Sequence, residues 1–180
     1  MSSVNKGAIR SLYVASVIAL SCPAVVHAKP VVTHRSGVWE TLEGTDDQGN
    51  QICSMGAEGN DRWILIKYTL GEPYLTFTIG KSNWHVVKNA KIKVELQVDN
   101  IDPWEAVATA ADSKNIIFTI HYKQIAQFLR EVSDGNNMRI SFVEERENDW
   151  QASLDGSDDI ATSFGSCVHR VTQSNGDNYE

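Results

Sequence analysis

Cysteine is scarce in this 180-residue chain: Cys22, Cys53 and Cys167 are all there are, and no two form a CxxC pair. That argues against a locally encoded metal site or a catalytic thiol, and His169 falls on a different side of any helix carrying Cys167. Basic charge is also in deficit, with 16 Lys and Arg against 23 Asp and Glu and a net charge of −7. A chain this acidic repels phosphate, which makes nucleic acid and anionic lipid poor partners. No apolar run reaches the roughly 20 residues of a membrane-spanning helix. HExxH, HxH and GxSxG patterns, a Gly-rich phosphate loop and the alternate-ligand spacing of an EF-hand are all missing. No cofactor and no metal site is therefore expected.

What is present begins with an address. Lys6 and Arg10 precede an apolar stretch over residues 12–20, and Val26-His27-Ala28 offers a small-residue cleavage site. Residues 1–28 thus read as a secretory signal peptide rather than a retained anchor. Cys22 stands before Pro23, outside the small-residue surroundings of a lipoprotein site. Cleavage after Ala28 would remove two basic residues and no acidic one, taking the net charge to −9. The expected location is the periplasm or the exterior, where the two remaining cysteines, Cys53 and Cys167, would form one structural disulfide.

The pattern of the rest is dominated by period-2 alternation. Residues 29–36 carry a proline and no clear period, and read as a flexible lead-in. Residues 37–172 form one β-rich domain and residues 173–180 a disordered tail. Within the domain, Ile92, Val94, Leu96 and Val98 alternate with Lys91, Lys93, Glu95 and Gln97, as only a half-exposed strand allows. Residues 63–70 are nearly continuously apolar, the signature of a strand buried on both faces. The period changes at Ile125, Phe128, Leu129 and Val132, one face of a helix that Gly135 would close with a left-handed cap. Ile160, Phe164, Cys167, Val168 and Val171 mark a second amphipathic helix, with Ser157 as its N-cap and Asp158 and Asp159 in its first turn. About eight or nine strands with two short helices make the fold class mainly β (α+β). The expected architecture is an antiparallel β-sandwich or strongly curved sheet with the late helices packed on it.

Chemistry is harder to locate. The histidines His34, His85, His121 and His169 are scattered, and the acidic groups at residues 46–50 and 155–159 are explained by turns and helix capping. Five tryptophans are more than such a domain usually carries. Trp84 and Trp104 stand beside turn signals, which makes them the candidate binding surface.

In order and spacing, Trp39, Cys53, the strand over residues 91–99, Phe128-Leu129, and Leu154-Asp155-Gly156 through Ala161 and Phe164 form a recognisable series. It resembles small exported proteobacterial proteins of the invasion-associated locus B type, over about residues 38–168. That resemblance implies a β-rich exported protein without known catalytic residues, linked to interaction with host cells, and it carries no site residues across. The chain departs from it in having no further cysteine pair around residues 104–111 and a more acidic start to the last helix. The leading expectation is a non-enzymatic exported protein that binds a protein or an envelope component. An inhibitor of a cationic exported enzyme and a hydrolase with acids assembled by folding are the two alternatives.

Overall fold

The computed structural model describes residues 29–143 and 147–174, so residues 1–28, where a signal peptide is expected, residues 144–146 and the last six residues lie outside it. Ten strands form one antiparallel sheet: β1 (Val31–Ser36), β2 (Trp39–Thr45), β3 (Gln51–Gly59), β4 (Arg62–Thr69), β5 (Tyr74–Lys81), β6 (Lys91–Val98), β7 (Trp104–Ala110), β8 (Asn115–His121), β9 (Asn137–Val143) and β10 (Trp150–Ser153). A 3-10 turn at Tyr122–Gln124 leads into α1 (Ile125–Asp134), and α2 runs over Ser157–Ser174. The spatial order is β1-β2-β3-β4-β5-β8-β7-β6-β9-β10, with β1 and β10 as unjoined edges. The expected mainly β class is met at this level: an open antiparallel sheet with two helices against it and one disulfide.

Register explains the core. Met55, Ile66, Phe77 and Phe118 stand directly opposite one another across β3, β4, β5 and β8, and all are buried. On the other half, Leu96, Ile140 and Trp150 form the same kind of row across β6, β9 and β10. Between the halves, β7 and β8 share only two residue pairs, Thr109↔Ile117 and Ala110↔Ile116. Phe128 of α1 fills the core beside this junction, its ring edge-on to Phe77 at 5.1 Å and to Trp104 at 5.8 Å.

Several expectations need correction. Residues 29–36 are not a flexible lead-in, because Val31–Ser36 pairs along β2 as an edge strand. Its side chains are largely exposed and a bulge interrupts it between Val32 and His34, which erases the period that sequence reading relies on. Strand β4 is not buried on both faces: Ile64, Ile66 and Tyr68 point to the core, while Trp63, Leu65 and Lys67 are only half covered. Gly135 is extended rather than left-handed, with φ −83°. It is glycine for space, since a Cβ there would lie 2.3 Å from Val98 Cγ1 and 2.8 Å from the Glu131 carbonyl oxygen. The second helix is not short, having 18 residues, and it includes Gln173 and Ser174 of the expected tail. Ser157 is the first residue of the helix rather than its N-cap, and its buried hydroxyl donates to the Val132 carbonyl at 2.6 Å, tying α2 to α1.

The disulfide expectation is met. Cys53 on β3 and Cys167 on α2 are bonded, both fully buried, with Cα atoms 5.9 Å apart and a sequence separation of 114. The bond sits where Ile160, Phe164 and Val168 of α2 cover the inner face of β1, β2 and β3. One polar group in this region is out of place. The Thr41 hydroxyl on β2 is buried with no hydrogen-bond partner among the described residues. Thr41→Val, which removes that hydroxyl at nearly constant shape, should therefore raise unfolding stability by about 1 kcal/mol in urea denaturation. A loss of stability would show that the hydroxyl is bonded after all.

Candidate functional site

The tryptophans turn out to be tied inward. All five indole N–H groups donate within the chain: Trp39 to the Ser153 carbonyl, Trp63 to Asn115 Oδ1, Trp84 and Trp150 to the two oxygens of Glu147, and Trp104 to Glu131. Trp84 and Trp104, the residues singled out from the sequence, are both half-buried and packed on the core. The fold does not bring them together. Trp84 contacts Phe142 and Trp150, whereas Trp104 lies on Phe128. Trp63 covers Gly80 on the outer face of the sheet, where a Cβ would lie 2.1 Å from the indole.

Glu147 is the residue that sequence reading missed. It belongs to an acidic stretch (residues 144–149) that reads as a solvated loop, yet its carboxylate accepts from Lys81 Nζ at 2.8 Å and from both Trp84 and Trp150 at 2.9 Å. Burial by itself pushes this carboxyl up. The donors Lys81, Trp150 and Trp84, together with the lysine charge, outweigh burial and hold it below the usual range. The group is thus a clamp that fixes the start of β10 against the end of β5. No single local signal points to it, because Lys81 and Trp84 lie 66 and 63 residues away.

A carboxyl whose folded value is lowered contributes stability above its unfolded value, and that contribution disappears as pH falls through the folded value. Glu147→Gln should cost about 1–2 kcal/mol at neutral pH. The gap between wild type and variant should close as the pH is taken into the acid range; a gap independent of pH would contradict the clamp.

Beside this clamp a cleft of about 240 Å³ opens between β10 and the β3–β4 hairpin. All four residues of β10, Trp150 to Ser153, line it on one side, and Val38, Ala57, Trp63 and Ile64 line the other, with Ile140 at its back. Glu58, Asn60 and Arg62 supply its polar rim. The hairpin is held by Asn60 and Asp61, both at positive φ (50° and 66°), a conformation suited to a tight two-residue β-turn. That turn places Arg62 so that its guanidinium lies 4.8 Å from the centre of the Trp150 ring. Arg62 forms no ion pair among the described residues, in contrast to Arg35, Lys81, Lys93 and Arg170.

The other sequence candidates are structural. Asp46 spends its oxygens on Gln48 N, Asn50 N and Asn50 Nδ2, closing its own turn. Asp158 and Asp159 lie in the first turn of α2, as expected. Among the described residues no three His, Cys, Asp or Glu side chains gather in a way that would hold a metal ion, and no helix is long and apolar enough to cross a membrane.

These features define a class: an open antiparallel β-sheet protein with a disulfide-fastened C-terminal helix and a small aromatic cleft at one sheet edge. Among solved structures, the chain is similar to invasion associated protein B from Bartonella henselae, with a TM-score of 0.52 and 13% identity. The match covers 79% of this chain and 99% of that one. The resemblance read from the sequence is thereby met as a likeness of fold. No family model matches the sequence, and no curated protein matches it.

Proposed function

We propose that this chain is an exported, non-enzymatic interaction protein of the periplasm or exterior, with the cleft along β10 as its contact site for a partner protein or envelope component. The observation that carries this reading is the cleft itself, an apolar trough with the Arg62 guanidinium, without an ion-pair partner among the described residues, over the Trp150 ring at its mouth. Aromatic side chains and arginine are the residues that dominate binding energy in protein contacts, and desolvation at a partly enclosed site strengthens them.

Export is supported by two independent features. The leader pattern of residues 1–28 precedes the fold, and a buried disulfide persists in an oxidising compartment. The fold it shares with a protein named for invasion is consistent with work outside the cytoplasm.

Affinity capture from an envelope extract tests the reading, using the mature protein and a Val38→Asp variant. Val38 lines the cleft and is 59% exposed, so an aspartate there blocks the cleft without disturbing the core. A partner retained by the wild type should be reduced at least about tenfold by the variant, a difference of roughly 1.4 kcal/mol. Equal retention by the two proteins would sink the reading.

A further inference from the structure

The backbone of β10 gives the cleft a direction. Leu154 N–H bonds to the Asn136 carbonyl, toward β9, whereas the Ser153 carbonyl accepts the Trp39 indole, away from β9. In an antiparallel ladder a residue's N–H and C=O point to the same side, and successive residues alternate. Gln151 therefore turns both its N–H and its C=O outward, along the side of β10 that no strand occupies. The cleft is thus more than an apolar depression. It is an open strand edge three to four residues long, with core side chains behind it and a cation at one end.

Its size narrows the occupant. A volume of about 240 Å³ is below the roughly 300–1,000 Å³ of pockets that enclose drug-sized ligands. It suits one or two side chains of an extended chain. Charge narrows it further. Arg62 is a planar donor fork without a carboxylate partner among the described residues, fixed over Trp150, and guanidinium matches carboxylate in a two-point contact. Glu58 at the same rim, and a chain whose net charge is −7, disfavour a partner with acidic residues elsewhere. This chain's own C-terminal segment is a poor occupant, since residues 175–180 (NGDNYE) are polar and acidic and follow the far end of the 18-residue α2.

We propose that the cleft takes the C-terminal end of a partner polypeptide by strand addition. The segment lies antiparallel to β10, bonded to the outward N–H and C=O of Gln151. An apolar side chain enters among Ala57, Ile64, Ile140 and Ala152, and the terminal carboxylate meets Arg62 at the Trp150 end. Where the Trp39 indole caps Ser153, the incoming chain leaves the strand edge over the exposed Val38, so recognition is confined to about the last three residues. The mode is that of peptides added to an open sheet edge, in which backbone bonds give affinity and alternate side-chain pockets give selectivity. This inference rests on the cleft being the contact site and adds the chemistry of what it contacts.

The test uses a synthetic tetrapeptide of lysine, threonine, valine and leucine, in that order, as the free acid and as the C-terminal amide. Binding is followed by tryptophan fluorescence and amide chemical shifts of the mature protein. The acid should bind at least about tenfold tighter than the amide, the gap should shrink with added salt, and Arg62→Gln should abolish it. Gln151→Pro, which removes an outward N–H from an edge strand, should weaken both forms. If that variant does not fold, N-methylation of the peptide's valine or leucine amide reads the same bonds without altering the protein.

Equal binding of acid and amide, no binding of either at millimolar peptide, or indifference to both backbone changes would overturn the proposal. If partner capture from the extract still depends on Val38 when the peptides fail, the cleft remains the contact site and only the chemistry assigned to its occupant is wrong.

Discussion

Unfolding of Cys167→Ser is expected at a much lower denaturant concentration than that of the wild type, with a loss of about 4–5 kcal/mol from the chain-entropy term. The bond closes a loop across 114 residues, so its removal enlarges the unfolded ensemble more than most single cross-links do. A second effect adds to this. Both sulfurs are fully buried beneath α2, and the serine hydroxyl would enter that apolar contact while the Cys53 thiol is left behind. The denaturant slope should also increase, because an uncrosslinked unfolded chain exposes more surface. Far-UV circular dichroism should stay close to that of the wild type, since the strands of the ladder do not depend on the bond. An unchanged midpoint would show that the bond contributes nothing to closing the fold.

The second large effect is expected at Phe77. Its ring stacks on Phe118 at 4.8 Å and meets Phe128 edge-on at 5.1 Å, with no exposed surface. It joins the central row of β3, β4, β5 and β8 to the helix α1, so Phe77→Ala opens a cavity that neither layer can close alone. The cost should be about 3–5 kcal/mol in equilibrium unfolding, with Phe77→Leu losing clearly less. A cost for Phe77→Ala below about 1 kcal/mol, the level of an average substitution, would mean that the helix can settle into the gap and that the junction is not tightly packed. The two effects lie in different parts of the molecule and have different origins. One acts through the unfolded chain, the other through packing of the native core.

How much of this was legible beforehand differs by kind of feature. The alternation of Ile92, Val94, Leu96 and Val98 identified β6 within a residue of its bounds, because side-chain direction in a strand is fixed locally. The face formed by Phe128 and Val132 likewise marked α1. Edge strand β1 was invisible. Its side chains are mostly exposed, so no burial pattern is written into Val31–Ser36, and pairing with β2 and contact with α2 hold it in place. The apolar run of β4 misled for a related reason: Trp63 and Leu65 cover the outer face rather than a second core.

The candidate site was the least legible part. Trp84 and Trp104 drew attention as exposed aromatics, but each indole finds a carboxylate and each ring packs on the core. Arg62 and Glu147 carried no signal at all. One reads as the end of a turn and the other as part of an acidic loop. Their partners, Trp150 for the arginine and Lys81 with Trp84 for the glutamate, are more than 60 residues distant.

By itself, then, the sequence determined what short-range stereochemistry and counting can determine. It determined the period-2 strands, the amphipathic faces of the two helices, the turns closed by Asp46, and the pairing of Cys53 with Cys167. Only the tertiary structure decided that β8 lies beside β5 and β9 beside β6, that Glu147 is a clamp rather than a solvated acid, and that β10 is left open beside Arg62. The physical reason is that strand order and cleft geometry depend on which distant surfaces are complementary in shape and charge. A single chain records each surface but not the pairing between them.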